Sequence, residues 1–352
     1  MVVVRTLGTL FVACTLIHNA WAGDVHSPEV PKMMQAAAID HAGDSSALTL
    51  HTLPVPKPDA NEILIAVDTA GVGIWDVGIR RHPEEIQHSS FPLVLGTDGA
   101  GTVAAIGSAV HGFKLGDRVY SYSWDNPKGG FYAEYVAVPA ERVGHVPKEL
   151  TLTTAGAIGT TGLTAIQGVD DALHLKSGQT VIIHGASGGV GGLAVEFAKL
   201  RGARVLATAS GEDGAAFVKR LGADVVIDSR TGDIAAAAHD FAPGGIDAVL
   251  ALAGGEALER CIDTLRPGGR VAYPNGVNPP KTRPGLSPIA YDAVPGPKEF
   301  ERLNQAIQQR HLQAPIAAEF SLADAGKAQE RMEAGHVLGK IVLRIRQPAP
   351  HP

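Results

Sequence analysis

The chain has 352 residues, 45% of them hydrophobic and 19% charged, with a formal net charge of −6. Single cores stop growing at roughly 250–300 residues, so this length suits two domains of ordinary globular composition. The negative balance excludes a general nucleic-acid surface, and any phosphate the protein holds must be held locally.

Residues 1–22, MVVVRTLGTLFVACTLIHNAWA, carry one early charge (Arg5), an apolar run from Leu7 to Ile17, and Ala20-Trp21-Ala22 before Gly23. That is the layout of a secretory signal. The run is shorter than the about 20 apolar residues of a spanning helix, so no membrane span is expected in the mature chain. Export to the periplasm or beyond is the expectation. The alternative is a cytoplasmic protein that starts at Met33 or Met34. Of the two cysteines, Cys14 lies in this segment. A mature chain therefore keeps Cys261 alone, which rules out an intrachain disulfide and a thiolate metal cage.

After a link over residues 23–33, short alternating runs separated by Gly, Pro and Asp turns predict strands: MQAAAID, LTLHTL, EILIAVDTAGV, GTVAAIG, GDRVYSY and AEYVAVP. A mostly β domain over residues 34–157 is the reading. A helix with Thr at its start, in TLTTAGAIGTTGLTAIQGV, opens a different rhythm. TVIIHG, a helix over GLAVEFAKLRG, RVLATAS, a helix over GAAFVKRLG, DVVID, DAVLALAG, a helix over EALERCIDTLRPGG and RVAYPNG alternate through residues 158–296. That is the pattern of a doubly wound parallel α/β sheet that binds a dinucleotide. The Pro-rich NPPKTRPGLSPIAYDAVPGP reads as a loop near the site or a domain junction. A helix over KEFERLNQAIQQRHL and a closing strand, GKIVLRIR, return the chain to the first domain over residues 297–346. Residues 347–352 form a tail.

The stretch VIIHGASGGVGG places Gly185, Ala186, Ser187, Gly188, Gly189, Val190 and Gly191 between a strand and a helix. Gly188 would let the backbone approach a pyrophosphate at the positive end of that helix, and Gly191 would let the helix lie close to the strand. A tight turn without a ligand is the alternative, but the strand, helix and following strand are the context the motif requires. Dinucleotide folds that take NAD carry an acid about 20 residues on. Here Ala209-Ser210 stands at that strand end, which leaves room for a 2′-phosphate and favours NADP(H). Glu212 and Asp213 oppose a phosphate. Arg230 is either its partner or a solvated surface charge.

From Met34 to Arg346 the sequence resembles the medium-chain dehydrogenase/reductase superfamily, most of all its zinc-free quinone oxidoreductase (zeta-crystallin-like) branch. The resemblance rests on AGVGIWDVGIR, GTDGAGTVAAIGSAV, FKLGDRV, GGFYAEYVAVPA, GTTGLTAIQG, HGASGGVGGLAVEFAKLRGARV, LGADVVID and GKIVLR, in that order. It implies a GroES-like mostly-β catalytic domain and a Rossmann cofactor domain, paired as a homodimer through the cofactor sheet's edge strand. It also implies hydride transfer from NADPH to a quinone or an α,β-unsaturated carbonyl. Thr161 would lie by the nicotinamide, with Tyr273 to Val277, including Gly276, against it.

The departures bear on the chemistry. Zinc alcohol dehydrogenases of this superfamily carry ligands where this chain has Gly73, Thr97 and Ile158, so no tetrahedral zinc site is expected. The Asn usual in the quinone branch at Gly73 is missing, as is a Lys at Gly214. Asp98 replaces a Glu that pairs with a base near the C-terminus, here Lys340 or Arg344, and Lys340 counts among the cofactor-binding candidates. Asp76 is a candidate for binding or proton delivery, set against a hydrogen-bonded structural acid. Tyr122, Trp124 and Tyr291 are candidate acceptor-pocket residues, set against core aromatics. His184 reads as a packed strand-end residue. Two other functions stay open: an enoyl-thioester reductase of the same superfamily, and a nucleotide-binding protein without turnover.

Export predicts that the native protein begins at Gly23. N-terminal sequencing that finds Met33 or Met34 instead would place it in the cytoplasm.

Overall fold

In the computed structural model, residues 29–346 are described, apart from 88, 89, 311 and 313. The expected signal segment and tail lie outside the described residues. β1 (Met33–Ile39) and β2 (Thr49–Pro54) pair antiparallel, from Met33↔Pro54 to Ala38↔Thr49. The long β3 (Glu62–Val72) is buried almost throughout, because strands lie on both its edges and side chains pack on both its faces. It runs directly into α1 (Ile74–Arg81). β4 (Leu93–Val94) joins β1, and β5 (Asp98–Ile106), β6 (Arg118–Tyr122), β7 (Tyr135–Pro139) and β8 (Val143–His145) follow.

Two helices connect this part to the next. α2 (Leu152–Gly156) starts at Thr151, whose hydroxyl accepts the Thr154 N–H at 3.1 Å. α3 (Gly159–Gln167) is a separate helix, wholly buried. The sequence predicts one helix here. The break arises because the Asp98 carboxylate accepts the Thr160 N–H at 2.9 Å and so caps a second helix start from another element.

β9 (Thr180–His184), α4 (Gly189–Leu200), β10 (Arg204–Ala209), α5 (Gly211–Arg220), β11 (Val225–Asp228), α6 (Ile234–Phe241), β12 (Ile246–Ala251), α7 (Glu256–Ile262), β13 (Leu265–Pro274) and β14 (Ile289–Tyr291) build the second part. The sheet order is β11-β10-β9-β12-β13-β14, and every pair is parallel. The order reverses beside β9, which places the glycine turn at the switch point where such sheets bind ligands. Three elements differ from the sequence reading. α6 is an alanine-rich helix capped by Asp233, whose carboxylate accepts the Ala236 N–H at 3.0 Å. The helix over EALERCIDTLRPGG ends at Ile262, and Leu265 already belongs to β13. The Pro-rich stretch contains the sixth strand, β14.

α8 (Pro297–Arg310), β15 (Ile316–Ser321), α9 (Ala325–Glu333) and β16 (Lys340–Arg344) close the chain. β16 runs antiparallel to β3, from Ile341↔Val72 to Arg344↔Thr69, so the chain returns to the first sheet. That sheet has the order β15-β16-β3-β5-β6-β8, with β7 also on β3. The fully buried Arg80 of α1 donates to Gln329 Oε1 at 2.6 Å and to Glu333 at 3.1 Å, pinning α1 onto α9. The Gly339 N–H donates to the Ser187 carbonyl at 3.1 Å, which ties the glycine turn to the start of β16. The two parts meet there.

Candidate active site

β9 is buried along its length around an apolar centre, and it delivers the chain to the glycine turn. Gly185 sits at φ 81°, a left-handed conformation that suits glycine. A Cβ on Gly191 would lie 2.3 Å from the Gly185 carbonyl oxygen, so this glycine sets how closely α4 approaches β9. Gly188 is different. Its backbone is ordinary and extended (φ −76°), and a Cβ there would meet only the Gly185 carbonyl, at 3.7 Å. The space in front of α4 is therefore open. The first-turn N–H groups of a helix have no intrahelical acceptor and carry its positive end, so the space suits a diphosphate.

Thr161 and Lys340 flank this turn. A Cβ on Gly189 would lie 3.4 Å from the Thr161 methyl and 3.6 Å from Lys340 Cδ. The Thr161 hydroxyl donates to the Ala157 carbonyl at 2.8 Å, which leaves the methyl toward the turn. Ala186 is buried, while Ser187 and Val190 complete the turn at its partly exposed rim. His184 lies beneath, with Nδ1 at 2.8 Å from Thr208 Oγ1 and 3.8 Å from Cys261 Sγ. Burial, and secondarily Arg260, push its pKa down to about 4, so it is a neutral packing group.

At the far end of the turn, Ser210 precedes α5, and its hydroxyl lies 3.2 Å from that of Ser229. Asp228 accepts the N–H groups of Gly211 (3.1 Å) and Arg230 (2.8 Å), so its carboxylate serves the loop backbone. Arg230 is exposed. Asp213, one of the acids opposing a phosphate, is held by His336 Nε2 at 2.8 Å. His336 comes from the segment before β16. Nothing in the sequence pairs these two residues, and only the fold brings them together. Gly276 stands at φ 90° after β13, where a Cβ would meet nothing within 4 Å. Tyr273 lies next to the end of the same strand.

Asp76 is wholly buried. It accepts the Gly73 N–H at 2.7 Å, the Thr97 N–H at 3.1 Å and the Tyr132 hydroxyl at 3.4 Å. Burial first, and then the charge of Asp98, raise its pKa to about 7. The structure thus places Asp76 as a clasp between the start of α1 and the start of β5. Asp98 uses one oxygen on Thr160 and turns the other toward Lys340 Nζ at 3.9 Å. Neither that oxygen nor the Lys340 ammonium has a hydrogen bond, although both are buried. Arg344, the other candidate base, goes instead to Asp68 (3.4 Å) and Glu319 (3.1 Å).

Sequence reading missed Trp75. Its indole N–H donates to Thr97 Oγ1 at 2.6 Å, and Lys340 Nζ lies 4.5 Å from the ring centroid. A Cβ on Gly73 would fall 2.2 Å from the ring, so the indole stands where a residue-73 side chain would project. The signal in the sequence is a glycine two positions before a tryptophan at a helix start. Gly73, Thr97 and Ile158 together offer no nitrogen or sulfur donor, and the indole takes the space beside Gly73. This arrangement does not fit zinc. Among the described residues no group of three or more His, Cys, Asp or Glu side chains is placed to hold a metal.

The other candidate aromatics separate. Tyr291 donates to the Thr164 carbonyl at 3.0 Å and packs against Gly168, which makes it a strut between β14 and α3. Trp124 is 42% exposed, whereas Tyr122 is buried. Burial and then Asp292 push the Tyr122 phenol well above its ordinary value.

Residues 59–148 match the alcohol dehydrogenase GroES-like domain family, and residues 189–284 match the zinc-binding dehydrogenase family. The chain is 30% identical over 322 residues to a probable quinone oxidoreductase of Schizosaccharomyces pombe, covering 87% of this chain and 95% of that one. It is similar to the solved quinone oxidoreductase of Coxiella burnetii, with a TM-score of 0.80 and 30% identity over 90% of this chain and 100% of that one. A mycobacterial structure described as complexed with NADPH has a TM-score of 0.78 and 28% identity, over 89% of this chain and 100% of that one. The chain belongs to the medium-chain dehydrogenase/reductase superfamily.

The two motif glycines should part company. The sequence alone suggests that Gly188→Val and Gly191→Val both leave a folded chain. The contacts of Gly191 overturn this, because a Cβ would meet backbone atoms at 2.3 Å. Gly191→Val should lose several degrees of Tm, whereas Gly188→Val should keep the parent Tm and lose nucleotide binding. Thermal melts and nucleotide titration of both variants check this.

Asp76 carries a second prediction. Its folded pKa, about 7, exceeds the ordinary 3.8, so the folded chain holds a proton that the unfolded chain releases. This contribution is whole below the ordinary value and is lost as pH rises through about 7. Asp76→Asn should flatten the fall of Tm between about pH 5 and pH 8, measured by melts across that range.

Proposed function

We propose that this superfamily member is a zinc-independent oxidoreductase that reduces quinones or α,β-unsaturated carbonyls with NADPH. The observation that carries this reading is a phosphate cradle open at Gly188 beside a would-be metal position filled by the Trp75 indole. Oxidising an alcohol at neutral pH calls for a metal or base that holds the developing alkoxide. The side chains that would hold the metal are replaced, and the buried acid that bonds the Gly73 and Thr97 N–H groups, Asp76, is engaged by three donors. An electron-poor acceptor needs no such group.

Bound NADPH supplies a hydride, and with one proton from solvent a quinone becomes a hydroquinone. The chain's residues do the holding. The N-terminus of α4 and the backbone of Gly188 and Gly189 would take the diphosphate. Lys340 adds a positive charge beside that turn, and its unsatisfied ammonium is suited to a phosphate oxygen. Thr161 and the Tyr273 to Val277 turn would border the nicotinamide.

The choice of NADPH rests on the end of β10. Ala209 and Ser210 bring no carboxylate there, Asp228 is committed to backbone N–H groups, and Asp213 is committed to His336. Of the nearby charges, Arg230 is the one suited to a 2′-phosphate.

Two measurements test the reading. NADPH oxidation over a panel of quinones, enones and enoyl thioesters should show turnover with the quinones or enones. Turnover with the thioesters alone would point to an enoyl-thioester reductase, and a complete absence of turnover would leave only a nucleotide-binding protein. NADPH should also bind more tightly than NADH. Ala209→Asp should weaken NADPH by about tenfold or more, since like charges a few ångströms apart near a surface repel by a few kcal/mol. Equal affinities in the parent would overturn the choice of cofactor.

A further inference from the structure

We propose that His336 is a cofactor-selecting residue, and that it acts by cancelling the charge of Asp213 beside the 2′-phosphate of NADPH. The inference rests on the cofactor reading above and names what tunes it. Asp213 lies in the first turn of α5, just past Ser210. Its carboxylate accepts the Gly214 N–H at 2.8 Å and meets His336 Nε2 at 2.8 Å. The hydrogen bond from His336, and then that from Gly214, hold this carboxyl below its ordinary range. Asp213 is therefore an anion at neutral pH, and what varies is the charge of its partner.

His336 reaches that turn from the other part of the chain. Gly335 and His336 take left-handed backbone, at φ 71° and 50°, and Arg331 holds the bend by donating to their carbonyls at 2.8 and 3.2 Å. Such backbone is uncommon for a residue other than glycine, and it persists where the surroundings fix it. A Cβ on Gly211 would lie 3.7 Å from His336 Cε1, and one on Gly214 would lie 3.8 Å from Leu338 Cδ2. The Gly339 N–H then reaches the Ser187 carbonyl at 3.1 Å. Positions 336 to 339 thus run from the start of α5 to the glycine turn, between the proposed 2′-phosphate and diphosphate sites.

A phosphate monoester carries roughly −1.5 to −2 charges at neutral pH, so a bare carboxylate nearby repels it. NADH has no such group. A protonated imidazole cancels the Asp213 charge, whereas a neutral one donates its N–H and leaves that charge in place. Imidazoles as a class change charge between about pH 5 and 8, so the choice between the two nucleotides becomes pH-dependent. The other charged groups around this turn are Glu212 on α5, Asp228 and Arg230 at the end of β11, and Arg331 on α9. His336 is the imidazole among them. The pair is exposed, so it adds little to stability, and its charge is felt by what docks beside it.

The test uses the full chain at low salt, where surface charges are least screened. Titrations give the dissociation constants of NADPH and NADH, and the readout is their ratio. At about pH 6, His336→Gln should lower the preference for NADPH by about fivefold, the effect of one charge a few ångströms away in a largely aqueous setting. His336→Lys should keep the preference at about pH 6 and at about pH 8 alike. Gln and Lys meet the same left-handed backbone, so strain alone would move both variants together. Adding Asp213→Asn to His336→Gln should restore the loss, because the charge that His336 cancels is then gone. Toward about pH 8 the parent should approach His336→Gln, and the phosphate's own titration near about pH 6 is common to both. A ratio that stays within about twofold in His336→Gln at about pH 6 overturns the proposal, as does a loss that Asp213→Asn does not restore. If the parent binds both nucleotides equally but the variants still shift the ratio as described, the choice of NADPH fails and the role of His336 stands.

Discussion

A buried ammonium without a hydrogen bond lies at the junction of the two parts. Lys340 Nζ stands 3.9 Å from Asp98 Oδ1, and neither atom has a hydrogen-bond partner. At that distance an effective dielectric near 20 gives an attraction of about 4 kcal/mol, while withdrawing each ion from water costs several kcal/mol. Such a pair is a poor stabiliser. It sits where the two parts of the chain meet, with the Lys340 stem beside the glycine turn. Its partners follow from it. Asp98 also caps α3, which positions Thr161, and Lys340 lies over Trp75.

Close approach makes that charge possible. A Cβ on Gly71 would fall 2.5 Å from Asp98 Oδ1, and one on Gly159 would fall 3.1 Å from Asp98 Cβ. One on Gly73 would displace the indole. The small residues of AGVG and GTTG are therefore packing choices that let one carboxylate and one ring enter the junction between β3, β5, α1 and α3. The glycine turn differs in kind. Gly185 and Gly191 are needed for backbone shape and helix approach, whereas a Cβ on Gly188 would meet only the Gly185 carbonyl, at 3.7 Å.

Much of this was legible in the sequence because its periodicities are local. TVIIH, RVLATA and IDAVLA are apolar runs at strand length, and the glycine turn between β9 and α4 announces its own geometry. GKIVLRIR was readable as a strand of the first sheet, and β16 pairs with β3 as that reading requires. What stayed hidden depends on contacts between distant residues. The split between α2 and α3 needs Asp98 from β5, so no window over residues 151–167 contains its cause. The short β14 sits in a Pro-rich stretch whose composition argues for a loop, and tertiary pairing with β13 overrides it. Asp213 and His336 are 123 positions apart.

Trp75 belongs to the same class of hidden feature, and it changes how the missing metal ligands are understood. Read singly, Gly73, Thr97 and Ile158 are three losses. In the fold two of them act together, because the glycine admits the ring and the threonine accepts its N–H. A vacated polar site left unfilled would have exposed buried carboxylates and backbone to water, and an empty apolar hole would have cost packing energy. The indole covers the site with an apolar face while keeping one hydrogen bond. The positive charge beside the two acids is Lys340, 3.9 Å from Asp98. Burial and the neighbouring Asp98 then raise the Asp76 pKa to about 7, with Lys340 opposing them only in part. The junction is thus shared among two acids, one base and one aromatic ring, and its protonation is set by this chain's own residues.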